Sequence, residues 1–118
     1  MLAWLLGEDP AAGIVEEVMA DRPIMSWINL GEVAYITERT DGPDTSRHIV
    51  TELRRRLRLD QPTPNRVLAA ARIKARYPVT FADGFAVATA VAHDATLLTG
   101  DPEILSGDPS WQVRDLRR

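Results

Sequence analysis

The 118-residue sequence contains no cysteine, which excludes disulfide bonds and thiolate metal sites. Any bound metal must therefore be held by oxygen or imidazole ligands, and such ligands favour hard cations such as Mg²⁺ or Mn²⁺. Long apolar runs are also missing. The run at residues 85–92 is too short to span a bilayer, and the apolar stretch at the N-terminus is short and is followed directly by Glu8. We therefore expect neither secretion nor membrane insertion, and a cytoplasmic location.

Lysine is almost absent, because Lys74 is the only lysine among the 14 basic residues. The net charge of −3 argues against a protein whose whole surface attracts nucleic acid. Several arginines are clustered, however, so a local anion-binding patch remains an alternative. With 45% hydrophobic and 26% charged residues, the chain can bury one compact core and is too short for two ordinary domains. We predict a single domain over residues 1–118.

Strand and helix patterns alternate along the chain. Strands are predicted near residues 23–26, 59–61, 95–99 and 111–116. Helices are predicted over residues 9–20, 27–36, 45–59, 63–77 and 80–93, with the tail of an earlier helix before Gly7 and a helical turn at 102–105. Strands that alternate with helices imply a parallel sheet covered on both faces, which is the α/β architecture.

Glu32 lies in a helical segment that is otherwise apolar nearly all round. Asn29 stands three residues earlier and therefore on the same helix face. No lysine or arginine lies between Arg22 and Arg39 to pair with the Glu32 carboxylate, and burying such a group without a partner is costly. The alternative is that Glu32 lies at the rim of the core and reaches solvent.

Two aspartates occupy positions that allow both a structural and a chemical role. Asp83 follows Thr80 by three residues at the start of an apolar helix, which is the spacing of a capping box. Asp101 stands just beyond a buried strand, and its Asp-Pro sequence is also typical of a helix start. All three carboxylates can nevertheless converge at the carboxyl ends of parallel strands. A bound Mg²⁺ or Mn²⁺ would make that convergence tolerable and could activate water for attack on a phosphodiester.

The succession "LAWLLGEDPAA", "SWINLGEV" and "TFADGFAVATAVAHDATLLTGDPE" resembles a PIN domain, in particular the VapC-type toxins of toxin–antitoxin pairs. The resemblance implies a three-layer fold with five parallel strands and four acidic residues, and a metal-dependent endoribonuclease. It also implies a homodimer and a VapB-type antitoxin that occludes the site. Carried over to this chain, it makes Glu32, Asp83 and Asp101 the acids, with Thr99 as a hydroxyl position beside them and Asn29 as a supporting residue.

The same resemblance places the first, central strand and its acid before Met1. We therefore expect a sheet that lacks this strand, through a late start codon or a true truncation. Two other interpretations remain open. One is a catalytically impaired remnant that binds only an antitoxin or a second copy. The other is an unrelated α/β binding module whose three carboxylates cap helices and bind no metal.

The signals for substrate and partner are weaker. Arg47, Arg54 and Arg58 are predicted to share one helix face, which could meet RNA phosphates or could be an ordinary solvated face. Apolar surface from Trp4, Trp27 and Tyr35 on the early helices predicts dimerisation.

Overall fold

The computed structural model describes residues 22–99 and 101–115. The predicted helices before Gly7 and over residues 9–20, together with Trp4, lie outside the described residues. Nine elements follow in chain order: β1 (Ile24–Ser26), α1 (Trp27–Asp41), α2 (Pro43–Arg56), β2 (Arg58–Asp60), α3 (Pro64–Arg76), α4 (Phe81–Ala92), β3 (Leu97–Thr99), α5 (Pro102–Leu105) and β4 (Val113–Asp115).

The described strands are all paired in parallel. Strand β1 pairs with β2, with Met25 opposite Leu59, and strand β3 pairs with β4, with Leu98 opposite Arg114. Helices connect the two strands of each pair, as parallel strands require. The predicted α/β fold with parallel strands is confirmed, and within the described residues the strands form two separate pairs.

Helix α1 ends later, and helix α2 begins earlier, than the sequence predicted. We expected α1 to stop near residue 36 and a loop to follow at 40–44, but α1 continues to Asp41 and α2 starts at Pro43. The turn is reduced to Gly42, whose φ of 91° lies in the left-handed region that glycine adopts without steric cost. Proline at the first position of α2 needs no backbone donor, so α2 can begin at once.

One core cluster lies between β1 and the α1–α2 hairpin. Its buried members are Met25, Leu30, Val33, Leu53 and Leu57. Ile49 and Val50 pack against this cluster as partly buried neighbours. Ile49, Val50 and Leu53 thus lie on the face of α2 that packs, because side chains three and four residues apart share one side of a helix.

Helices α3 and α4 form a second packed pair. Ala70 on α3 is fully buried beside Phe85 and Ala88 of α4. Gly84 lies where the two backbones come closest, since a Cβ built on it would be 2.8 Å from the carbonyl oxygen of Ala70. The absence of a side chain at this position therefore sets how closely α4 can approach α3.

Gly84→Ala should destabilise the protein by about 1–3 kcal/mol, because the backbone of α3 or α4 must shift to admit the methyl group. Gly31→Ala is the matched control, since Gly31 is an exposed position of α1 where an added Cβ would have no neighbour within 4 Å. This control should raise stability by about 0.5–1 kcal/mol. Urea denaturation of both variants measures the difference, and equal effects would contradict the close approach.

Asp60 ends β2 and ties this strand to both helices of the second pair. Its carboxylate accepts hydrogen bonds from Arg66 Nε at 2.7 Å and Nη2 at 3.2 Å, and it lies 2.8 Å from His93 Nε2. The Asp60 side chain is only 10% exposed. The hydrogen bond from Arg66 lowers the pKa of Asp60, although burial opposes this effect. His93, predicted at the end of its helix, is the C-cap of α4.

Asp60→Asn should cost about 1–3 kcal/mol at neutral pH, because the partly buried Arg66 guanidinium loses its counter-ion. The folded pKa of Asp60 is lowered, so its contribution is present above the unfolded pKa and is lost as pH falls through the folded pKa. The difference between wild type and variant should therefore shrink in acid. Denaturation at several pH values tests this, with Asp44→Asn in an exposed pair with Arg47 as control. A difference that does not change with pH would contradict it.

Candidate functional site

The turn from β1 into α1 carries the first two candidate residues beyond the carboxyl end of β1. Ser26 ends the strand and caps the helix, because its Oγ accepts a hydrogen bond from the backbone N–H of Ile28 at 3.0 Å. Asn29 follows in the first turn of α1 and Glu32 in the next. Both side chains are half-buried. The cap leaves no connecting loop, so strand and helix fix the position of Asn29 and Glu32 together.

Asn29 connects α1 to the start of α4. Its Nδ2 donates a hydrogen bond to the backbone oxygen of Ala82 at 2.9 Å. Its Oδ1 is buried and has no hydrogen-bond partner. Ala82 directly precedes Asp83, so this bond holds the Asp83 backbone beside the helix that carries Glu32. The unpaired oxygen of Asn29 leaves a polar acceptor at the junction of the two helices.

Asp83 forms the capping box that its spacing predicted. Thr80 Oγ1 accepts from the Asp83 N–H at 3.1 Å, and Asp83 Oδ2 accepts from the Thr80 N–H at 3.3 Å. The structural role of Asp83 is therefore real. It engages only one of the two carboxylate oxygens, and a carboxylate has lone pairs to spare for another donor or a cation.

Asp101 also caps a helix. Its Oδ1 accepts a hydrogen bond from the Glu103 N–H at 2.9 Å at the start of α5. Its own N–H donates to Thr99 Oγ1 at 3.0 Å, and Thr99 is buried at the end of β3. The hydroxyl of Thr99 therefore holds the chain that carries Asp101 against the carboxyl end of the strand.

The three carboxylates influence one another. The pKa of Asp83 is raised by burial and by the neighbouring Asp101 carboxyl, against the lowering effect of its hydrogen bonds with Thr80. The pKa of Glu32 is raised by burial and by the negative charge of Asp83. The structure thus brings Glu32, Asp83 and Asp101 into one electrostatic neighbourhood, with Asp83 in the middle.

The donor set at this neighbourhood suits a hard cation. The carboxylate oxygens of Asp83 and Asp101 and the unpaired Oδ1 of Asn29 are all hard ligands. A divalent ion would offset the repulsion between the Asp83 and Asp101 carboxylates, which adds to the effect of burial on the pKa of Asp83. Within residues 22–99 and 101–115, however, no three acidic or histidine side chains already stand close enough to enclose a metal ion. The role of these residues as ligands therefore stays a prediction.

The arginine patch predicted on one helix face is wrong for Arg58. Helix α2 ends at Arg56, and Arg58 lies on β2, where its N–H donates to the backbone oxygen of Pro23 at 2.9 Å. Pairing with the neighbouring strand thus overrides the helical pattern. The Arg58 side chain is also engaged, because its Nε donates to the backbone oxygen of Arg22 at 3.0 Å.

The other two arginines of the predicted patch lie on α2 and also have partners. Arg47 is 3.5 Å from the carboxylate of Asp44, and the Arg54 guanidinium lies over the ring of Trp27 at 5.3 Å. Both side chains lie on the exposed side of the helix. An ordinary solvated face was the alternative for this patch, and these contacts agree with it.

Asp60 is a carboxylate that the sequence interpretation did not single out. It stands at the end of β2 just as Asp101 follows β3, so the signal that identified Asp101 could also have identified Asp60. The pairing of Asp60 with Arg66 separates it from the three-carboxylate neighbourhood. Both aspartates stand at a strand end, and among the described residues only Asp60 of the two has a cationic partner.

The comparisons with known proteins agree with this architecture. Residues 1–106 match the PIN domain family, so the chain belongs to that family. Among solved structures, DNA-bound VapBC from Salmonella typhimurium is similar at a TM-score of 0.76 and 17% identity, over 98% of this chain and 90% of that one. VapBC-1 from nontypeable Haemophilus influenzae is similar at a TM-score of 0.74 and 18% identity, over 99% of this chain and 93% of that one. VapBC2 from Rickettsia felis, bound to a promoter DNA fragment, is similar at a TM-score of 0.73 and 15% identity, over 96% of this chain and 90% of that one. No curated protein matches the sequence.

Of the helices within the described residues, none combines the length and the apolar character needed to cross a membrane.

Asp101→Asn should lower the pKa of Asp83, because it removes the neighbouring negative charge while the asparagine side chain can still cap α5. The shift should be partial, since burial of Asp83 remains. Carboxyl ¹³C NMR titration measures it, with Glu103→Gln as a control that removes a nearby exposed carboxylate. An unchanged Asp83 titration in the Asp101 variant would show that the two carboxyls do not interact.

Proposed function

We propose that this PIN-domain chain is a metal-dependent endoribonuclease, the toxin of a type II toxin–antitoxin pair, which hydrolyses phosphodiester bonds in RNA. The observation that carries the proposal is the hydrogen bond from Asn29 to the backbone of Ala82, which holds Asp83 beside the helix that carries Glu32. Asp101 follows the carboxyl end of β3, and the Asp83 carboxyl interacts with both Glu32 and Asp101. Open α/β folds build their sites at this edge of the sheet. Membership of the PIN family and the similarity in fold to VapBC structures support the same assignment.

Asp83 and Asp101 are the residues that would hold Mg²⁺ or Mn²⁺ directly. Each uses one carboxylate oxygen to cap a helix, which leaves the second oxygen for the ion. The bound ion would supply an activated water and would offset negative charge on the phosphate during in-line displacement. Glu32 would hold a water molecule, and its raised pKa would make it a better proton acceptor than an ordinary glutamate.

The caps and the Asn29 bond keep these side chains in position. The capping box fixes the rotamer of Asp83, and the Thr99 hydroxyl fixes the backbone at Asp101. Asn29 holds the start of α4 against α1. A site whose side chains are already oriented loses less free energy when substrate binds, because less reorganisation is needed.

The proposed partners are an RNA substrate, a VapB-type antitoxin and a second copy of this chain. The similar solved structures are named as VapBC complexes. On α1, Ile28 is 38% exposed and Tyr35 is 49% exposed, and they lie seven residues apart on one helix face. This face offers apolar area for the proposed homodimer, whereas Trp27 is half-buried beneath Arg54.

Cleavage of a labelled single-stranded RNA in Mg²⁺ or Mn²⁺, with EDTA as the blank, tests the proposed activity. Asp101→Asn should lower the rate at least about tenfold, because it removes a ligand while it keeps the helix cap. Glu103→Gln should leave the rate unchanged, since Glu103 is exposed and only its backbone contacts Asp101.

The result that would contradict the proposal is equally specific. A wild-type chain that melts cooperatively but cleaves no RNA in either ion would support the alternative of a catalytically impaired PIN-domain protein that acts only by binding. Equal loss of activity in the Asp101 and Glu103 variants would instead show that the carboxylate neighbourhood is not the site.

A further inference from the structure

A groove between α3, α4 and the segment before β4 lies apart from the three-carboxylate neighbourhood. Its volume is about 270 Å³, and the residues that decide its character are Arg72, Ile73, Arg76, Val91, Asp108 and Trp111. This volume is close to the lower end of the range for small-molecule sites. On α4 the groove is lined by Ala88, Val91 and Ala92, five or more residues after Asp83. That separation corresponds to about 8 Å or more along the helix axis.

Arg72 and Arg76 provide the positive charge of this groove. They stand four residues apart on α3 and therefore on the same helix face. Within the described residues neither side chain has an ion pair or a hydrogen bond, and both are exposed. Arg66, the third arginine of the groove, is already paired with Asp60. Two cations one helical turn apart thus line the groove, and neither forms an ion pair with the Asp108 carboxylate that also lines it.

The floor of the groove is apolar and partly aromatic. Val91 is 58% exposed, so apolar area of α4 is accessible within the groove. The rings of Tyr77 and Trp111 meet edge to face at 4.7 Å between centroids. Asp108 also lines the groove, and its carboxylate accepts a hydrogen bond from the Ser110 N–H at 2.9 Å. The groove therefore combines a cationic wall with an apolar floor.

We propose that this groove binds the phosphodiester backbone of the RNA strand outside the bond that is cleaved. The inference rests on the proposed ribonuclease function, which supplies the RNA. Successive phosphates carry one charge per nucleotide, so a strand can satisfy Arg72 and Arg76 together, and the guanidinium fork matches phosphate oxygens in pairs. A base or ribose of the same strand covers the apolar floor.

The contacts of the other arginines explain why this groove is preferred to the patch predicted on α2. In that patch Arg47 is paired with Asp44, and Arg54 lies over the ring of Trp27. Arg55, next to Arg54, is paired with Glu52 at 2.8 Å. A phosphate would have to displace a carboxylate at Arg47 or Arg55 and the indole ring at Arg54. At Arg72 and Arg76 it displaces only water, so the gain in free energy from counter-ion release is not offset by a lost ion pair.

Fluorescence anisotropy of a labelled single-stranded RNA in EDTA, measured from 50 to 300 mM KCl, tests the proposal without cleavage. The double variant Arg72→Gln/Arg76→Gln should weaken binding at least about tenfold at the lowest salt. Its plot of log affinity against log salt should be shallower by about 1.4, because two phosphate contacts are lost at about 0.7 each. The matched control Arg47→Gln/Arg55→Gln removes the same charge and should change binding less than about threefold, with an unchanged slope.

Three other outcomes would overturn the proposal, and each leads to a different conclusion. Equal effects of the two double variants would show that only net charge matters. RNA binding that is unchanged in the Arg72/Arg76 variant, with loss of binding to a polyglutamate peptide, would assign the groove to an acidic protein instead. A wild-type chain that neither binds nor cleaves RNA would remove the proposed function and this inference together. Melting temperatures confirm that both double variants are folded.

Discussion

The hydrogen bond from Asn29 Nδ2 to the backbone oxygen of Ala82 is the contact on which the candidate site depends. It joins residues 53 positions apart and holds the first turn of α4 beside the first turn of α1. Without it, Glu32 and Asp83 would belong to two helices with no polar link at their ends. Because the bond ends on a backbone atom, it fixes the position of the Asp83 backbone independently of the side chain at position 82.

Asp83 and Asp101 show that a structural role and a chemical role need not exclude each other. Each carboxylate uses one oxygen to cap a helix, and the capping hydrogen bond restricts the side chain to one orientation. Burial then raises the pKa of Asp83, and the nearby Asp101 adds to this effect. The result is a pair of oriented carboxyl groups whose mutual repulsion a divalent cation would relieve. In the sequence, helix capping was the alternative to a metal-binding role for these two aspartates. In the structure, the same caps would hold the metal ligands in place.

Local signals in the sequence predicted the local structure, and contacts distant along the chain account for what was missed. Thr63 and Thr80 start α3 and α4 as expected, because a cap depends only on the next three or four residues. The position of Arg58 was wrong because its backbone joins a strand that lies more than thirty residues earlier in the chain. The partner of Asn29 could not be predicted either, since nothing near it identifies the carbonyl of Ala82. Electrostatic contact among the carboxylates was inferred from the order of strands and helices, which is a topological argument and not a local one.

The most direct test of the central claim is paramagnetic broadening of the protein's NMR signals by trace amounts of Mn²⁺. If the carboxylate neighbourhood binds a divalent ion, the amide and side-chain signals of Asn29, Glu32, Asp83 and Asp101 should broaden first, and excess Mg²⁺ should restore them. Asp101→Asn should weaken the effect without abolishing the fold, because asparagine still caps α5. Broadening that starts instead at exposed acids such as Asp41 and Asp44, or that is spread evenly over the surface, would contradict the account.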